Sequence, residues 1–578
     1  MSTYKHPLAP VLTILLTLGL VDAWAGRRSF FGGDSVSYLD MASGIANGDF
    51  WSAVNGHYGP LYPILVAVVT SPFQSDTGLE FTAVRVLNFL IFVITLGTFQ
   101  IFLTRFLDLY FGELSAESES APPMSRSQFA LIAYAIFSWG CLFLTIVSRI
   151  NPDMCLAATT FAAAATLLSF ARGNVSLANF ASFGAILGVG YLFKAVFFPL
   201  SFLYLIAAAL EPHVRAVRKR LLLSLAVFLV IASPLITTLS IKYGHLTFGE
   251  TGKFNFWWIV NRVRTPNQGI MWVHWQGDPP GSGTPLHSTR KVADNPEVFE
   301  FGSPIVATYP PWYDPSYWNE GANVRFDIGR LVVQIAKNVG AYVLSLSADR
   351  FFLVAMSATL LLLIGFPNLR FAMRSVSRFR SLWIVAIGSI GIYVPFIMLP
   401  RYLVAGSCFL MLLLLASIRL PTSTSARAVG APLVALFFLG AALDYGPRLT
   451  NAATLIVHSH GDVRDDRWQV AEELKRLGVP PGTPVAAVDP QEDVDPWPPA
   501  VASDWARLAR VRIVSEILYT RDKKQQFWRI PTDRQETALQ ALRASGAKVV
   551  IASGVPDWAN TSGWTRIRET DYYFRFLQ

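Results

Sequence analysis

Long apolar runs constrain this chain more than any other feature. The bilayer core holds no water, so a run that crosses it must satisfy its own backbone hydrogen bonds as a helix or a closed barrel. Only 15% of the 578 residues are charged and 52% are hydrophobic, whereas soluble domains carry about 25% charged residues. We therefore predict a polytopic α-helical membrane protein with about eleven transmembrane helices, because that many runs approach the ~17–25 residues a span needs. The runs lie at about 7–25, 83–104, 127–148, 153–171, 177–193, 195–210, 220–241, 351–367, 381–399, 402–418 and 428–446.

Basic residues predict the orientation of these helices. They cluster in three short loops between apolar runs, at Arg215–Arg220, Arg370–Arg380 and Arg419–Arg427. Such clusters stay on the cytoplasmic side of a membrane. The acidic loop at 105–126 disagrees, but acidic residues weigh little in this rule. The N-terminus is therefore predicted in the cytoplasm.

The charge and the cysteines exclude two other classes of protein. The net charge of +9 does not indicate a nucleic-acid partner, because the basic residues lie in those loops and not on a polar face with interleaved aromatic side chains. The cysteines, Cys141, Cys155 and Cys408, lie in or beside apolar runs and form no C-x-x-C pair. They are therefore read as small buried hydrophobic residues, without a disulfide framework or a zinc site.

Two predicted domains follow from this topology. Residues 1–446 form a transmembrane domain with extracytoplasmic loops at 26–82 and 242–350, and residues 447–578 form an extracytoplasmic soluble domain. Within the first loop, Pro60–Thr70 is apolar but too short to span a bilayer, so we predict a re-entrant or interfacial helix. The second loop is too rich in Trp and Tyr for a disordered segment.

The soluble domain reads as a small α/β fold. Helix patterns at Asp466–Leu477 and Thr532–Ala544 each end next to a glycine, and short apolar runs at Pro484–Val488 and Lys548–Ala552 read as strands. No glycine-rich phosphate loop follows a strand, so nucleotide binding there is unsupported.

Asp34 is the first candidate for chemistry. It lies in Gly33-Asp34-Ser35, just after the first apolar run, and an aromatic, proline-rich stretch at 57–63 follows. A carboxylate beside the bilayer can accept a proton from an attacking hydroxyl or ligate a divalent cation. The alternative is an ordinary helix N-cap.

Three further charged residues fall on the same predicted membrane face. Asp153, in Asn151-Pro152-Asp153, begins a span, where a carboxylate can also serve as a cap. Lys194 interrupts an apolar stretch, which indicates a functional cation or a lysine snorkelling to the interface. Arg401, followed by Tyr402, can hold a phosphate or anchor the interface. Beside a span on this face, Glu250 adds a polar group of unassigned role.

Together these positions resemble the GT-C membrane glycosyltransferases. Gly33-Asp34-Ser35, Pro60-Leu61-Tyr62-Pro63, Asn151-Pro152-Asp153, Lys194 and Arg401-Tyr402 occur in the order and sidedness of bacterial members similar to protein mannosyltransferases and lipid A aminoarabinose transferases. The resemblance covers about residues 1–420.

The resemblance implies a multi-pass enzyme of a bacterial inner membrane with an extracytoplasmic active site. It would move a sugar from a polyprenyl-phosphate donor to a glycan, lipid or protein acceptor, typically with inversion. The implied catalytic residues are Asp34, as the base, and Asp153. The implied substrate-binding residues are His57, Tyr58, Tyr62, Lys194, Glu250, Arg401 and Tyr402.

One departure from the family bears on metal binding. Many relatives carry two adjacent carboxylates in the first loop, whereas Ser35 follows Asp34 here. We therefore assign no metal ligand, and a divalent cation stays an open alternative. The rival functions are a lipid-sugar transporter or flippase, for which the sequence shows no matching halves, and a non-catalytic membrane scaffold.

Overall fold

The structure is a computed structural model that divides into two compact units. The first unit comprises residues 1–27, 81–248 and 331–460, and the second comprises 28–80, 249–330 and 461–578. The residues described are 9–28, 32–73, 76–114, 124–262, 272–419, 426–458, 466–490, 503–519 and 526–577.

The elements are numbered here in chain order. The helices are α1 Ala9–Ala25, α2 Gly33–Ala46, α3 Leu61–Thr70, α4 Thr77–Leu114, α5 Arg126–Ser138, α6 Asp153–Ala171, α7 Leu177–Phe193, α8 Phe197–Ala209, α9 Pro212–Arg215, α10 Leu221–Tyr243, α11 Thr251–Asn255, α12 Pro310–Tyr313, α13 Pro315–Trp318, α14 Ile328–Ser347, α15 Arg350–Gly365, α16 Leu369–Arg378, α17 Arg380–Gly391, α18 Val404–Ala416, α19 Ala426–His458, α20 Asp466–Arg476, α21 Asp504–Ala509, α22 Gln526–Arg529 and α23 Thr532–Ala544. The strands are β1 Arg290–Asp294, β2 Glu297–Glu300, β3 Pro484–Pro490, β4 Arg512–Tyr519, β5 Val549–Ala552, β6 Thr565–Arg566 and β7 Tyr573–Phe576.

The first unit is a bundle of apolar helices, as a membrane protein requires. Each predicted apolar run overlaps one of its helices, although the run at 381–399 continues beyond the end of α17 at Gly391. Within the described part of the chain, six helices are long and apolar enough to cross a membrane, or seven if the bent pair α14 and α15 counts as one span. Helices α7, α8, α17 and α18 are apolar but shorter, so the count of eleven spans stays a prediction.

Helices α7 and α10 pack closely against each other. A Cβ on Gly184 would lie 2.2 Å from the carbonyl oxygen of Ser224, and one on Gly188 would lie 2.7 Å from the side chain of Ile231. The Ser224 hydroxyl also donates to the carbonyl of Phe180 at 2.7 Å. The two glycines therefore allow close backbone approach, as small residues do between membrane helices.

The second unit contains a seven-stranded sheet with the order β1-β2-β4-β3-β5-β7-β6. Strand β3 runs parallel to β4 and β5, and the outer pairs are antiparallel. The predicted helices and strands of the soluble domain are confirmed as α20, β3, α23 and β5. Strands β1 and β2 come from the large loop at 242–350, so one sheet joins segments that the sequence suggested were separate.

Helices α2 and α3 pack together in the same unit. Tyr62 and Val66 of α3 are fully buried, whereas Ile64 and Val68 are exposed. Helix α3 thus turns one apolar face outward, as expected of the interfacial or re-entrant helix predicted at Pro60–Thr70.

Candidate functional site

Asp153 begins helix α6, which is buried along almost its whole length. Its backbone N–H donates to the side chain of Asn151 at 3.1 Å, so the turn before the helix is held by its own residues. The carboxylate lies in the first helical turn, where the helix dipole favours a negative charge. The side chain is 3% exposed, and a carboxylate this buried requires cationic partners.

Lys194 supplies one of these partners. It terminates α7 in an extended conformation, and its N–H donates to the carbonyl of Gly190. A Cβ on Gly190 would lie 2.4 Å from the ring of Phe197, so the chain turns tightly from α7 into α8. The ammonium Nζ then donates to Oδ1 of Asp153 at 2.8 Å.

Arg401 supplies the second partner. It lies in the short helical turn Pro400–Tyr402 between α17 and α18. Its Nε lies 3.0 Å from Oδ2 of Asp153, so each carboxylate oxygen faces one cation. The Tyr402 ring lies 3.6 Å from the Lys194 ammonium, and the Tyr393 ring stacks on Tyr402 with centroids 5.2 Å apart. The aromatic faces attract the cations and limit their movement.

A cleft opens beside this cluster. It contains about 350 Å³ of space unoccupied by atoms, counting its open part. Asp153, Leu156, Ala157 and Thr160 line it from one face of α6, because positions i, i+3, i+4 and i+7 share a helix face. Its other lining residues are Leu200, Ser389, Tyr393, Arg401, Tyr402, Val404, Ala405 and Gly406. The cleft therefore combines an anion-binding group with apolar walls.

Asp34 belongs to a different cluster, in the second unit. Helix α2 starts at Gly33, and the N-cap is Gly32 without any side-chain cap. Asp34 is therefore not the N-cap. Its Oδ1 accepts hydrogen bonds from the hydroxyl of Tyr58 and from Nε1 of Trp312, each at 3.1 Å. Both bonds favour the ionised carboxylate.

Tyr58 remains a donor across the ordinary pH range. Burial and the neighbouring charge of Asp34 raise the pKa of Tyr58 well above its usual value. Its ring meets Tyr38 edge-on with centroids 4.9 Å apart, and Tyr38 in turn meets Tyr62 at 5.3 Å. Tyr62 is fully buried, and its predicted role in substrate binding stays a prediction.

His57 and Glu250 lie beside this cluster. The His57 ring packs edge-on against Tyr58 and Phe254, with centroids 4.8 and 5.5 Å apart. Glu250 is buried, and its backbone N–H donates to the carbonyl of Gly56 at 2.8 Å. These two residues therefore hold the 56–58 segment against helix α11.

The structure thus brings the predicted residues together in two groups. Asp153, Lys194, Arg401 and Tyr402 form the cleft cluster, and Asp34 with Tyr58 forms the second cluster. Convergence of Asp34 and Asp153 on one cavity stays a prediction. Among the described residues, no group of three or more His, Cys, Asp or Glu side chains is arranged to hold a metal ion.

Sequence reasoning missed two residues of these clusters. Trp312 stands out in the sequence only as part of an aromatic stretch, Tyr309-Pro310-Pro311-Trp312-Tyr313, and 278 positions separate it from Asp34. Tyr393 lies among apolar residues and carries no sequence signal of its own. An aromatic, proline-rich stretch in an extracytoplasmic loop was the available clue to Trp312.

Six chains in solved structures resemble this chain, among them two of ArnT and one of an oligosaccharyltransferase. The crystal structure of ArnT from Cupriavidus metallidurans bound to undecaprenyl phosphate aligns with a TM-score of 0.52 at 14% identity, covering 100% of this chain and 99% of that one. Apo ArnT aligns with a TM-score of 0.49 at 15% identity, covering 94% and 93%. The Archaeoglobus fulgidus oligosaccharyltransferase in complex with Zn and sulfate gives 0.43 at 13% identity, covering 94% and 68%. No protein-family model and no curated protein sequence matches the chain.

Proposed function

We propose that this chain, which has the fold of the GT-C membrane glycosyltransferases, transfers a sugar from a polyprenyl-phosphate donor to an extracytoplasmic acceptor. The observation that carries the proposal is the cleft lined by Asp153 and Arg401, beside which Lys194 also contacts Asp153. Two fixed cations beside apolar walls suit a phosphate joined to a hydrocarbon chain. The same-fold ArnT structure contains undecaprenyl phosphate, which is a lipid of this class.

The donor phosphate is the leaving group in this reaction. The bond between the anomeric carbon and the phosphate oxygen breaks, and the phosphate keeps the electron pair. Negative charge therefore grows on the phosphate in the transition state, and preorganised cations stabilise it most when water is excluded. Lys194 and Arg401 take this role, with Asp153 as the anion that holds both cations in place before the donor arrives.

The acceptor hydroxyl requires a base to take its proton. Asp34 takes the proton as the hydroxyl oxygen attacks, and direct attack inverts the anomeric configuration. Hydrogen bonds from Tyr58 and Trp312 to one carboxylate oxygen support this role, because they restrain the orientation of the carboxylate. The acceptor is a glycan, a lipid or a protein.

The location follows from the topology. The chain is a multi-pass membrane protein, and the positive-inside rule supports an extracytoplasmic location for its acidic and aromatic clusters. We propose a bacterial inner membrane as the site, with the polyprenyl donor entering from the bilayer.

The test is transfer by the purified full-length protein from a panel of undecaprenyl-phosphate-linked sugars, with membrane glycolipids as acceptors. We expect turnover by the wild type and a loss of about 10²- to 10⁴-fold in Asp34→Asn, the usual contribution of a general base. Asp49→Asn is the matched control, since Asp49 caps the next helical turn of the same loop.

The opposite results separate the rival functions. Equal turnover in wild type and Asp34→Asn would remove Asp34 as the base. No turnover with any donor, together with movement of a labelled polyprenyl-phosphate sugar across vesicles, would favour the lipid-sugar flippase. Neither transfer nor movement would favour the scaffold.

A further inference from the structure

Trp312 reaches Asp34 from the large extracytoplasmic segment. It lies in the short helix α12, and its indole Nε1 donates to Oδ1 of Asp34 at 3.1 Å. The hydroxyl of Tyr58 donates to the same oxygen, also at 3.1 Å. Two donors on one oxygen restrain the orientation of the carboxylate.

Contacts with neighbouring residues fix the position of the Trp312 indole. A Cβ on Gly33 would lie 2.9 Å from three ring atoms of Trp312, so the glycine of Gly33-Asp34-Ser35 leaves room for the ring. The Ser37 hydroxyl donates to the carbonyl of Trp312 at 3.0 Å. On the other side, the ring of Trp272 packs against Trp312 with centroids 5.4 Å apart.

These contacts restrain both the backbone and the ring of Trp312. Ser37 lies one turn after Gly33 on helix α2, so the helix that carries Asp34 also holds the tryptophan that binds Asp34. A hydrogen bond to an ionised group is stronger than one between neutral groups. The arrangement therefore suits the orientation of a charged side chain better than the packing of a core.

We propose that Trp312 and Tyr58 are positioning residues that orient the Asp34 carboxylate for its reaction with the acceptor hydroxyl. This inference rests on the proposed function and assigns the 249–330 segment a part in the chemistry. Tyr58, predicted from the sequence as a substrate-binding residue, instead acts through Asp34.

The test compares Trp312→Phe with Trp318→Phe. Phenylalanine keeps an aromatic ring and removes the N–H donor in each case. Trp318 is the matched control because its Nε1 donates to the carbonyl of Pro310 at 2.8 Å, within the same segment. Tyr58→Phe removes the second donor and gives an independent variant should Trp312→Phe not fold.

Two readouts are needed. The first is the infrared carboxylate band of Asp34, isolated as the difference between each full-length variant and the same variant carrying Asp34→Asn. We expect this band to shift in Trp312→Phe and Tyr58→Phe and to stay in place in Trp318→Phe. The second is transfer kinetics, in which kcat falls roughly ten- to a hundredfold with little change in the donor KM, as expected of a misplaced reacting group.

The outcomes distinguish this inference from the proposed function. An unshifted band in both donor-deleting variants would overturn the positioning role even if Asp34→Asn is inactive. A shifted band with full activity in Asp34→Asn would keep the contact and reject the catalytic base. An equal shift in Trp318→Phe would show that the segment is merely loosened and would also overturn the inference.

Discussion

At the scale of single residues, Asp153 holds the two cations beside the cleft in place. Its two oxygens face Lys194 and Arg401 at 2.8 and 3.0 Å. Removing one member of a buried charge cluster leaves the others without compensation. The three residues should therefore be treated as one unit, and in the proposed reaction a bound phosphate would take over part of the role of the carboxylate.

Lys194→Ala is expected to weaken the binding of a polyprenyl phosphate. The variant removes one charge-assisted contact, which is worth about 1.5–3 kcal/mol and thus roughly ten- to a hundredfold in the dissociation constant. Titration calorimetry with farnesyl phosphate and the full-length protein measures it. Lys242→Ala, in the last turn of α10, is the control and should bind like the wild type. Unchanged affinity in Lys194→Ala would remove Lys194 from the phosphate site.

The charged residues of the clusters could be predicted, as could Tyr58 and Tyr402, whereas the aromatic partners Tyr393 and Trp312 could not. Asp153, Lys194 and Arg401 are conspicuous because ionisable groups are rare in apolar runs. Tyr393 and Trp312 resemble core residues in sequence, since aromatic side chains serve packing far more often than hydrogen bonding to a site. Their roles depend on contacts made across long stretches of chain.

At the scale of elements, the cleft cluster is assembled from helix ends. Asp153 starts α6, Lys194 ends α7, and Arg401 lies between α17 and α18. Helix ends can be located from a sequence because polar residues and prolines mark them. Helix α14 was not predicted, because Gln334 and Asn338 interrupt its apolar pattern. In the structure the Asn338 amide donates to the carbonyls of Val394 and Phe396 and so supports the non-helical stretch after α17.

Gly184→Ala is expected to disturb the cleft from a distance. The new methyl group would lie 2.2 Å from the carbonyl oxygen of Ser224, so α7 and α10 must separate. Overpacking of this kind costs about 1–3 kcal/mol of stability and displaces Lys194 at the end of α7. Thermal unfolding in detergent and farnesyl phosphate binding measure the two effects.

Gly97→Ala provides the comparison. Gly97 lies in helix α4, and among the described residues no atom of another element lies within 4 Å of the place that the added methyl group would take. Alanine there should be neutral or stabilising, by up to about 1 kcal/mol from helix propensity. Equal melting temperatures for the two alanine variants would contradict the close approach of α7 and α10.

At the scale of the whole molecule, two units are formed from interleaved stretches of chain. The first takes residues from three stretches of apolar helix, and the second takes the two predicted extracytoplasmic loops and the C-terminal chain. Alternation of apolar and polar composition predicted these stretches. The sheet that includes β1 and β2 could not be predicted, because strand pairing between distant segments leaves no local pattern.

The predicted topology places the C-terminus outside the cytoplasm. A C-terminal alkaline phosphatase fusion should therefore be active, and a fusion within the basic loop at 215–220 should be inactive, because that enzyme matures only in an oxidising compartment. A C-terminal fluorescent protein that matures in the cytoplasm would reverse the orientation and place Asp34 on the wrong side for the proposed reaction.

Strand β2 completes its hydrogen bonds only after most of the chain has been synthesised. Its partner β4 begins at Arg512, and the roughly 200 intervening residues take about 10–40 s to translate at ~5–20 residues per second. Until then β2 presents an open strand edge, which readily pairs with other chains. Helices α14 to α19 are synthesised during the same interval, so the sheet of this unit is completed only after those helices have been made. Folding of the second unit is therefore complete only after the C-terminal segment that carries β4 has been synthesised, well after the loop that carries β1 and β2.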